Sequence, residues 1–212
     1  MKAMFKFSLT KNALMLLISI MTIVAMSCKP AAEKTADTGA TMGGDLSGMV
    51  MEAIPGTNVQ YARQMGANGN LEIEGYVENG KKTGMWILYG ADGDIGLINH
   101  YVNGMMEGTA MRMSFRNQVD LRSNYKQNQL DGPWTAYKFG KVVETRNYKN
   151  GKLDGIARTF DDRTFKVKQE VQYKDGVQDG FFKYYDENGN VSLEYQYKNG
   201  EKVSGGIVGD KK

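Results

Sequence analysis

The stretch YKDGVQDGFFKYYDENGNVSLEYQY, residues 173–197, decides the fold. It begins and ends on a tyrosine and contains two turn signals, Asp175-Gly176 and Asn188-Gly189. After the second turn the residues alternate. Val191, Leu193, Tyr195 and Tyr197 share one face, and Ser192, Glu194, Gln196 and Lys198 share the other. Before it lies an aromatic-rich run, Phe181, Phe182, Tyr184 and Tyr185. Two short strands joined by glycine-bearing turns read as a β-hairpin.

Outward from this stretch the same plan recurs. Aligned tyrosines fall at Tyr76, Tyr101, Tyr125, Tyr148, Tyr173 and Tyr197, with spacings of 25, 24, 23, 25 and 24 residues. Three or four residues after each comes Gly80, Gly104, Gly151, Gly176 or Gly200, and in one repeat Asn128. Asn is the non-glycine residue that best tolerates positive φ, so the exception meets the same backbone demand. A second glycine follows each tyrosine at seven or eight residues: Gly84, Gly108, Gly132, Gly155, Gly180 and Gly205. Then come aromatic residues, Trp86 with Tyr89, Trp134 with Tyr137, Phe160, and Phe182 with Tyr185. The Trp-x-x-Tyr spacing does not suit flat alternation and predicts a bulge or twist there. Residues 58–75 read as a degenerate half-repeat that caps the array. Gly205-Gly206 and the lysines at the end of the 206–212 tail read as a frayed, charged end. One hairpin cannot bury an apolar face alone, so the expected fold is all-β: an elongated, twisted antiparallel sheet of tandem hairpin repeats over 76–205.

The pattern Tyr76-Val77-Glu78-Asn79-Gly80-Lys81 through Gly84, Trp86, Tyr89 and Gly93 resembles the bacterial MORN-repeat variant family. Tyr173-Lys174-Asp175-Gly176 through Asp179-Gly180, Phe182 and Tyr185 repeats it. The resemblance implies a hairpin-repeat sheet. Its members are often labelled antitoxin components, and related eukaryotic repeats are associated with membrane lipids and protein scaffolding. These implications are analogies at the level of fold.

The first 28 residues are of a different kind. Lys2, Lys6 and Lys11 precede an apolar run, Ala13 to Met26, of 14 residues. That run is short for a bilayer span and reads as the core of a secretory signal. Ala25-Met26-Ser27-Cys28 resembles the lipobox of bacterial lipoproteins, which implies a signal peptide over 1–27 and an acylated Cys28. An ordinary signal peptide with an incidental thiol and a retained membrane anchor helix are the alternatives. Residues 28–57, rich in Gly, Ala and Thr at first, read as a flexible tether, although the apolar residues Met49 to Met51 and Ala53 to Pro55 suit docking on the first hairpin. Lys29 after the cysteine, by resemblance to enterobacterial sorting, points to the outer membrane.

Charge excludes one class of partner. The chain has 27 Lys+Arg and 24 Asp+Glu, but three lysines and no acids lie in 1–27, which leaves 24 against 24. A neutral mature chain is no nucleic-acid binder by its electrostatic footprint. Cys28 is the one cysteine and His100 the one histidine, so no metal site or cofactor is expected.

Columns of like residues need weighing as sites. The residue before the second glycine is acidic at Glu107, Asp131, Asp154 and Asp179, a carboxylate ladder that could take cations. The blander reading is a turn dipeptide chosen for its dihedrals. His100 lacks a nucleophile context, and the adjacent Asp161 and Asp162 point apart in any strand or turn. Trp86, Tyr89, Trp134, Tyr137, Phe182 and Tyr185 form the candidate binding surface. Stacking as core between hairpins is the favoured reading, because a single thin sheet has few other large residues to bury. The sequence therefore predicts a non-catalytic, lipid-anchored envelope protein, held to the membrane through Cys28, whose sheet docks a protein or a glycan. A cytoplasmic antitoxin-like binder and an envelope carbohydrate hydrolase are the alternatives.

Overall fold

The computed structural model describes residues 42, 45–114 and 117–209. The signal peptide, Cys28 and the last three residues lie outside them. Seventeen strands form one open sheet. In order they are β1 (Val50–Ala53), β2 (Val59–Met65), β3 (Leu71–Glu78), β4 (Lys81–Tyr89), β5 (Ile95–Val102) and β6 (Met105–Met106). Then come β7 (Gly108–Ser114), β8 (Gln118–Lys126), β9 (Gln129–Leu130), β10 (Gly132–Lys138), β11 (Lys141–Lys149) and β12 (Lys152–Leu153). The last five are β13 (Gly155–Phe160), β14 (Val167–Lys174), β15 (Val177–Tyr185), β16 (Val191–Lys198) and β17 (Glu201–Ile207). All the pairings are antiparallel, and each hairpin joins strands close in the chain. The two-residue strands are the first legs of bent strands, since β5 pairs with both β6 and β7, and β11 with both β12 and β13.

The backbone explains the glycines. Gly80, Gly104, Asn128, Gly151, Gly176 and Gly200 all have positive φ, and so do the residues before them: Asn79, Asn103, Gln127, Asn150, Asp175 and Asn199. Two successive positive φ values make the type I′ turn, whose twist matches that of a two-residue hairpin. The second glycines also sit at positive φ, from 65° at Gly84 to 122° at Gly180. There the strand inserts extra residues against its partner: β3 pairs Tyr76 with Thr83 and next Glu74 with Ile87. At Gly205 a side chain would meet the backbone of Glu194 and Tyr195.

Turns also join one repeat to the next. The amides of Gly104, Asn128, Gly151, Gly176 and Gly200 donate to the carbonyls of Lys82, Met106, Leu130, Leu153 and Gln178, at 2.8 to 3.1 Å. Each acceptor lies one repeat earlier, so the turns form a hydrogen-bonded ladder along one edge of the sheet.

Three sequence boundaries move. β1 lies inside the expected tether, and it pairs with β2 from Val50 to Ala53, so the sheet begins at Val50. The boundary at 75/76 cuts through β3, because β2 and β3 form a full hairpin. At the other end, β17 pairs with β16 through Ile207 and leaves Val203 and Ile207 exposed, while Lys211 and Lys212 lie outside the described residues.

The first tyrosine is also out of register. Val77 faces Lys82, as Tyr101 faces Met106, Tyr125 faces Leu130 and Tyr148 faces Leu153. Val77, not Tyr76, is therefore the equivalent residue. A one-residue slip turns a side chain to the other face. Val77 is 2% exposed and Tyr76 is 40% exposed.

Candidate functional site: two faces of one sheet

The aromatic residues that the sequence groups together split between two faces. Positions three apart on a strand point opposite ways. Trp86, Trp134 and Phe182 lie on one side, here the core face, and Tyr89, Tyr137 and Tyr185 on the other, the outer face. The register shifts fall where the spacing predicts, at Leu88/Tyr89, Ala136/Tyr137 and Tyr184/Tyr185.

On the core face, successive strands place Gly75, Trp86, Asn99, Ala110, Ser123, Trp134 and Arg146 in one row. Gly75 on one side of Trp86, and Asn99, Ala110 and Ser123 between the two indoles, leave room for the large rings to spread over small neighbours. A Cβ at Gly75 would overlap the Trp86 ring. Trp86 is fully buried and donates from Nε1 to the Tyr76 carbonyl at 3.0 Å. Trp134 is 6% exposed and carries the Arg146 guanidinium 4.8 Å from its ring centroid. Trp86 and Trp134 are thus core, and the alternative reading of these two as a binding surface falls. Phe182 is half-buried and packs 6.1 Å from Tyr195.

The outer face stays half-open. Tyr89, Tyr137 and Tyr185 pair across the strands with Ile95, Val142 and Val191, and all six are partly exposed. Beside Tyr137 a shallow groove of about 620 Å³ is lined by Met111, Val119, Arg122 and Thr109. Two carboxylates with tyrosine partners flank this stripe. Glu74 accepts hydrogen bonds from the Tyr61 hydroxyl and, at 2.5 Å, from the Tyr89 hydroxyl. Glu170 accepts from the Tyr185 hydroxyl at 2.7 Å and from Arg158 Nε at 2.6 Å. With Val77 as the register mark, Glu74 and Glu170 hold the same repeat position, as do Tyr89 and Tyr185. Sequence reasoning missed this pair because alignment on Tyr76 hides it. Hydrogen bonding to Glu74, with burial adding, raises the Tyr61 and Tyr89 hydroxyls to about 12. Burial and then Glu170 raise Tyr185 to about 12. At Glu170 burial works the other way, but Tyr185 and Arg158 outweigh it and lower the carboxyl.

The acidic ladder has a structural use that its sequence does not suggest. Glu107, Asp131, Asp154 and Asp179 accept from the backbone amides of Gln127, Asn150, Asp175 and Asn199, at 2.9 to 3.3 Å. Each carboxylate caps the first residue of the following turn. The glycine meets the dihedral demand and the acid ties one repeat to the next. His100 Nδ1 lies 3.0 Å from the Thr109 carbonyl oxygen. Asn124 makes the same link to Pro133 O, so His100 serves the bulge. Asp161 caps its own loop through the amides of Arg163 and Thr164, while Asp162 pairs with Lys138. The two carboxylates are not brought together. Among the described residues no three His, Cys, Asp or Glu side chains converge on a metal position.

No protein-family model matches the chain, and no curated protein matches it. Among solved structures, a similarity is found to a mutant of S. aureus TarM in complex with fondaparinux, alpha-GlcNAc-glycerol and UDP. The TM-score is 0.32 and the identity 16%, over 46% of this chain and 20% of that one. The chain thus matches about a fifth of that protein's length.

Proposed function

We propose that this protein is a non-catalytic, lipid-anchored component of the bacterial cell envelope, a MORN-repeat variant whose outer face docks a protein or a glycan. The observation that carries the reading is the division of the aromatics. The tryptophans are used up as core, while Tyr89, Tyr137 and Tyr185 stay half-exposed in a row with aliphatic neighbours on the outer face. Aromatic side chains that are apolar in body and polar at the tip suit both sugar faces and partner side chains. The carboxylates singled out as candidates, the turn ladder and the Glu74 and Glu170 pair, are engaged in turns or with tyrosine and arginine, which supports binding over acid–base work.

The anchor rests on the run to Cys28 and on its likeness to a lipobox. Labelling cells with a radioactive fatty acid tags the wild-type chain, and Cys28→Ala abolishes the tag. An unlabelled wild type ends the anchored reading. Docking is tested with the full-length chain on purified envelope polysaccharide and on envelope protein extract. The reading expects retention that Tyr89→Ala, Tyr137→Ala and Tyr185→Ala together remove. Equal retention by this triple variant would place binding elsewhere.

A further inference from the structure

One position of the repeat carries charge on the outer face and changes sign once. Three residues before Val77, Tyr101, Tyr125, Tyr148, Tyr173 and Tyr197 stand Glu74, Ile98, Arg122, Thr145, Glu170 and Glu194. The acids are answered across the sheet. Glu74 lies opposite Arg63 and accepts from the Tyr61 and Tyr89 hydroxyls. Glu170 lies between Arg158 and Lys183, with Arg158 Nε at 2.6 Å. Glu194 lies opposite Lys183, whose Nζ is 3.8 Å from its carboxylate.

Arg122 is not answered in this way. Its cross-strand partners are Met111 and Thr135, both uncharged. Asp120, two residues earlier on β8, pairs with Arg112 Nε at 3.0 Å. Arg122 is exposed, and among the described residues no carboxylate pairs with it. An unpaired surface arginine is ordinary by itself, since exposed ion pairs contribute little. What sets this one apart is where it stands. It forms a wall of the groove of about 620 Å³ beside Tyr137, whose floor is made by Met111 and Val119 and whose rim carries Thr109 and Gln118. Ile98 and Thr145, its equivalents in the neighbouring repeats, bring no acid that would repel an anion.

Two features choose the occupant. β8 is paired on both sides, with β7 and β10, and β10 with β8 and β11. The groove therefore offers no open strand edge to a peptide backbone, and recognition falls to side chains. Those side chains suit a sugar. The half-exposed Tyr137 ring matches the apolar face of a pyranose, and Thr109 and Gln118 match its hydroxyls. One guanidinium balances one negative charge, and its planar fork matches a carboxylate. We propose that the groove between Arg122 and Tyr137 binds a carboxylate-bearing sugar of an envelope polysaccharide, stacked on the tyrosine and held through its acid group by the arginine. This rests on the docking reading of the outer face and narrows its ligand to an acidic glycan.

Titration calorimetry of the detergent-solubilised full chain tests this with trigalacturonate, its methyl ester and a short polyglutamate peptide. The ester keeps the ring skeleton and removes the charge. Trigalacturonate binds, and the ester binds about tenfold more weakly, as the loss of a charge-assisted pair requires. Arg122→Gln brings the acid down to the level of the ester and leaves the ester unchanged. Tyr137→Ala weakens both. An ester that binds as well as the acid overturns the proposal, and so does the absence of binding by either. Polyglutamate binding as tightly as trigalacturonate also overturns it and makes the occupant an acidic protein. The comparison of acid with ester uses the wild type alone, so it decides even if a variant fails to fold. Retention on envelope material separates the two readings. If the triple tyrosine variant loses retention and Arg122→Gln keeps it in full, the acidic glycan fails and docking stands. If the triple variant is retained like the wild type, docking fails and this inference with it.

Discussion

The repeats before residue 154 and those after it share a backbone plan but not a core. Among the described residues, Val77, Trp86, Leu97, Tyr101, Leu121, Tyr125, Trp134, Tyr148 and Leu153 are buried in the first part, whereas Val171 is the buried hydrophobic residue in the second. Substitution along single rows accounts for the change. The row that holds Leu97 and Leu121 continues as Glu144 and Gln169. The row of Met106, Leu130 and Leu153 ends in Gln178 and Lys202. Yet Gly176, Gly180, Gly200 and Gly205 keep their positive φ, and the amides of Gly176 and Gly200 keep their inter-repeat bonds. The repeat is therefore defined by turn geometry and by the ladder between turns. Packing is layered on that frame where the sequence supplies apolar residues, and a hairpin array holds together past the point where its core thins.

The sharpest way to break this contrast is to truncate one aromatic in each part. Trp86→Ala should cost about 3–5 kcal/mol, because a fully buried indole leaves a cavity. Phe182→Ala, at the equivalent but half-exposed position, should cost roughly 2 kcal/mol or less. Equal losses in chemical denaturation would mean that the two parts are packed alike. Overpacking gives the next largest effect. Gly75→Ala drives a methyl group into the Trp86 ring and should cost about 1–3 kcal/mol. Gly206→Ala, with open space around it, should stay within about 0.5 kcal/mol. Removing one turn cap, Asp131→Ala in the first part or Asp179→Ala in the second, should cost about 1 kcal/mol alike, since the ladder and not the core is touched.

The smallest effect is on pH. The Asn199 amide, followed by Lys198, holds the Asp179 carboxyl below its ordinary value. A lowered folded-state value means that the stabilisation is present above the unfolded carboxylate value of 3.8 and is lost as pH falls through the lower folded one. Asp179→Asn should flatten that part of the acid unfolding curve. An unchanged curve would show that this cap does not hold the last turn.

Much of the frame was legible in the residues. The period, both glycine positions and the tolerance of Asn128 for positive φ follow from which residues can adopt left-handed backbone. The faces were less legible. A spacing of three between Trp86 and Tyr89 already separates them, but the run of aromatics invites reading them as one column. The slip at Tyr76 hid the equivalence of Glu74 and Glu170, because a tyrosine stands one residue before the true register mark. The purpose of the Asp131 and Asp154 carboxylates was not legible at all, since their partners are amides about 20 residues away, on the next turn.

The central claim is that the tryptophans are core and that the outer-face tyrosines stand half-exposed. Hydroxyl-radical footprinting of the full-length chain, read by mass spectrometry, tests it most directly. Protected Trp86 and Trp134 beside oxidised Tyr89, Tyr137 and Tyr185 are the expected result, although an exposed indole would react at least as readily as a phenol. Oxidation of both tryptophans in the folded chain, with the tyrosines spared, would contradict the assignment of faces and the docking proposal built on it.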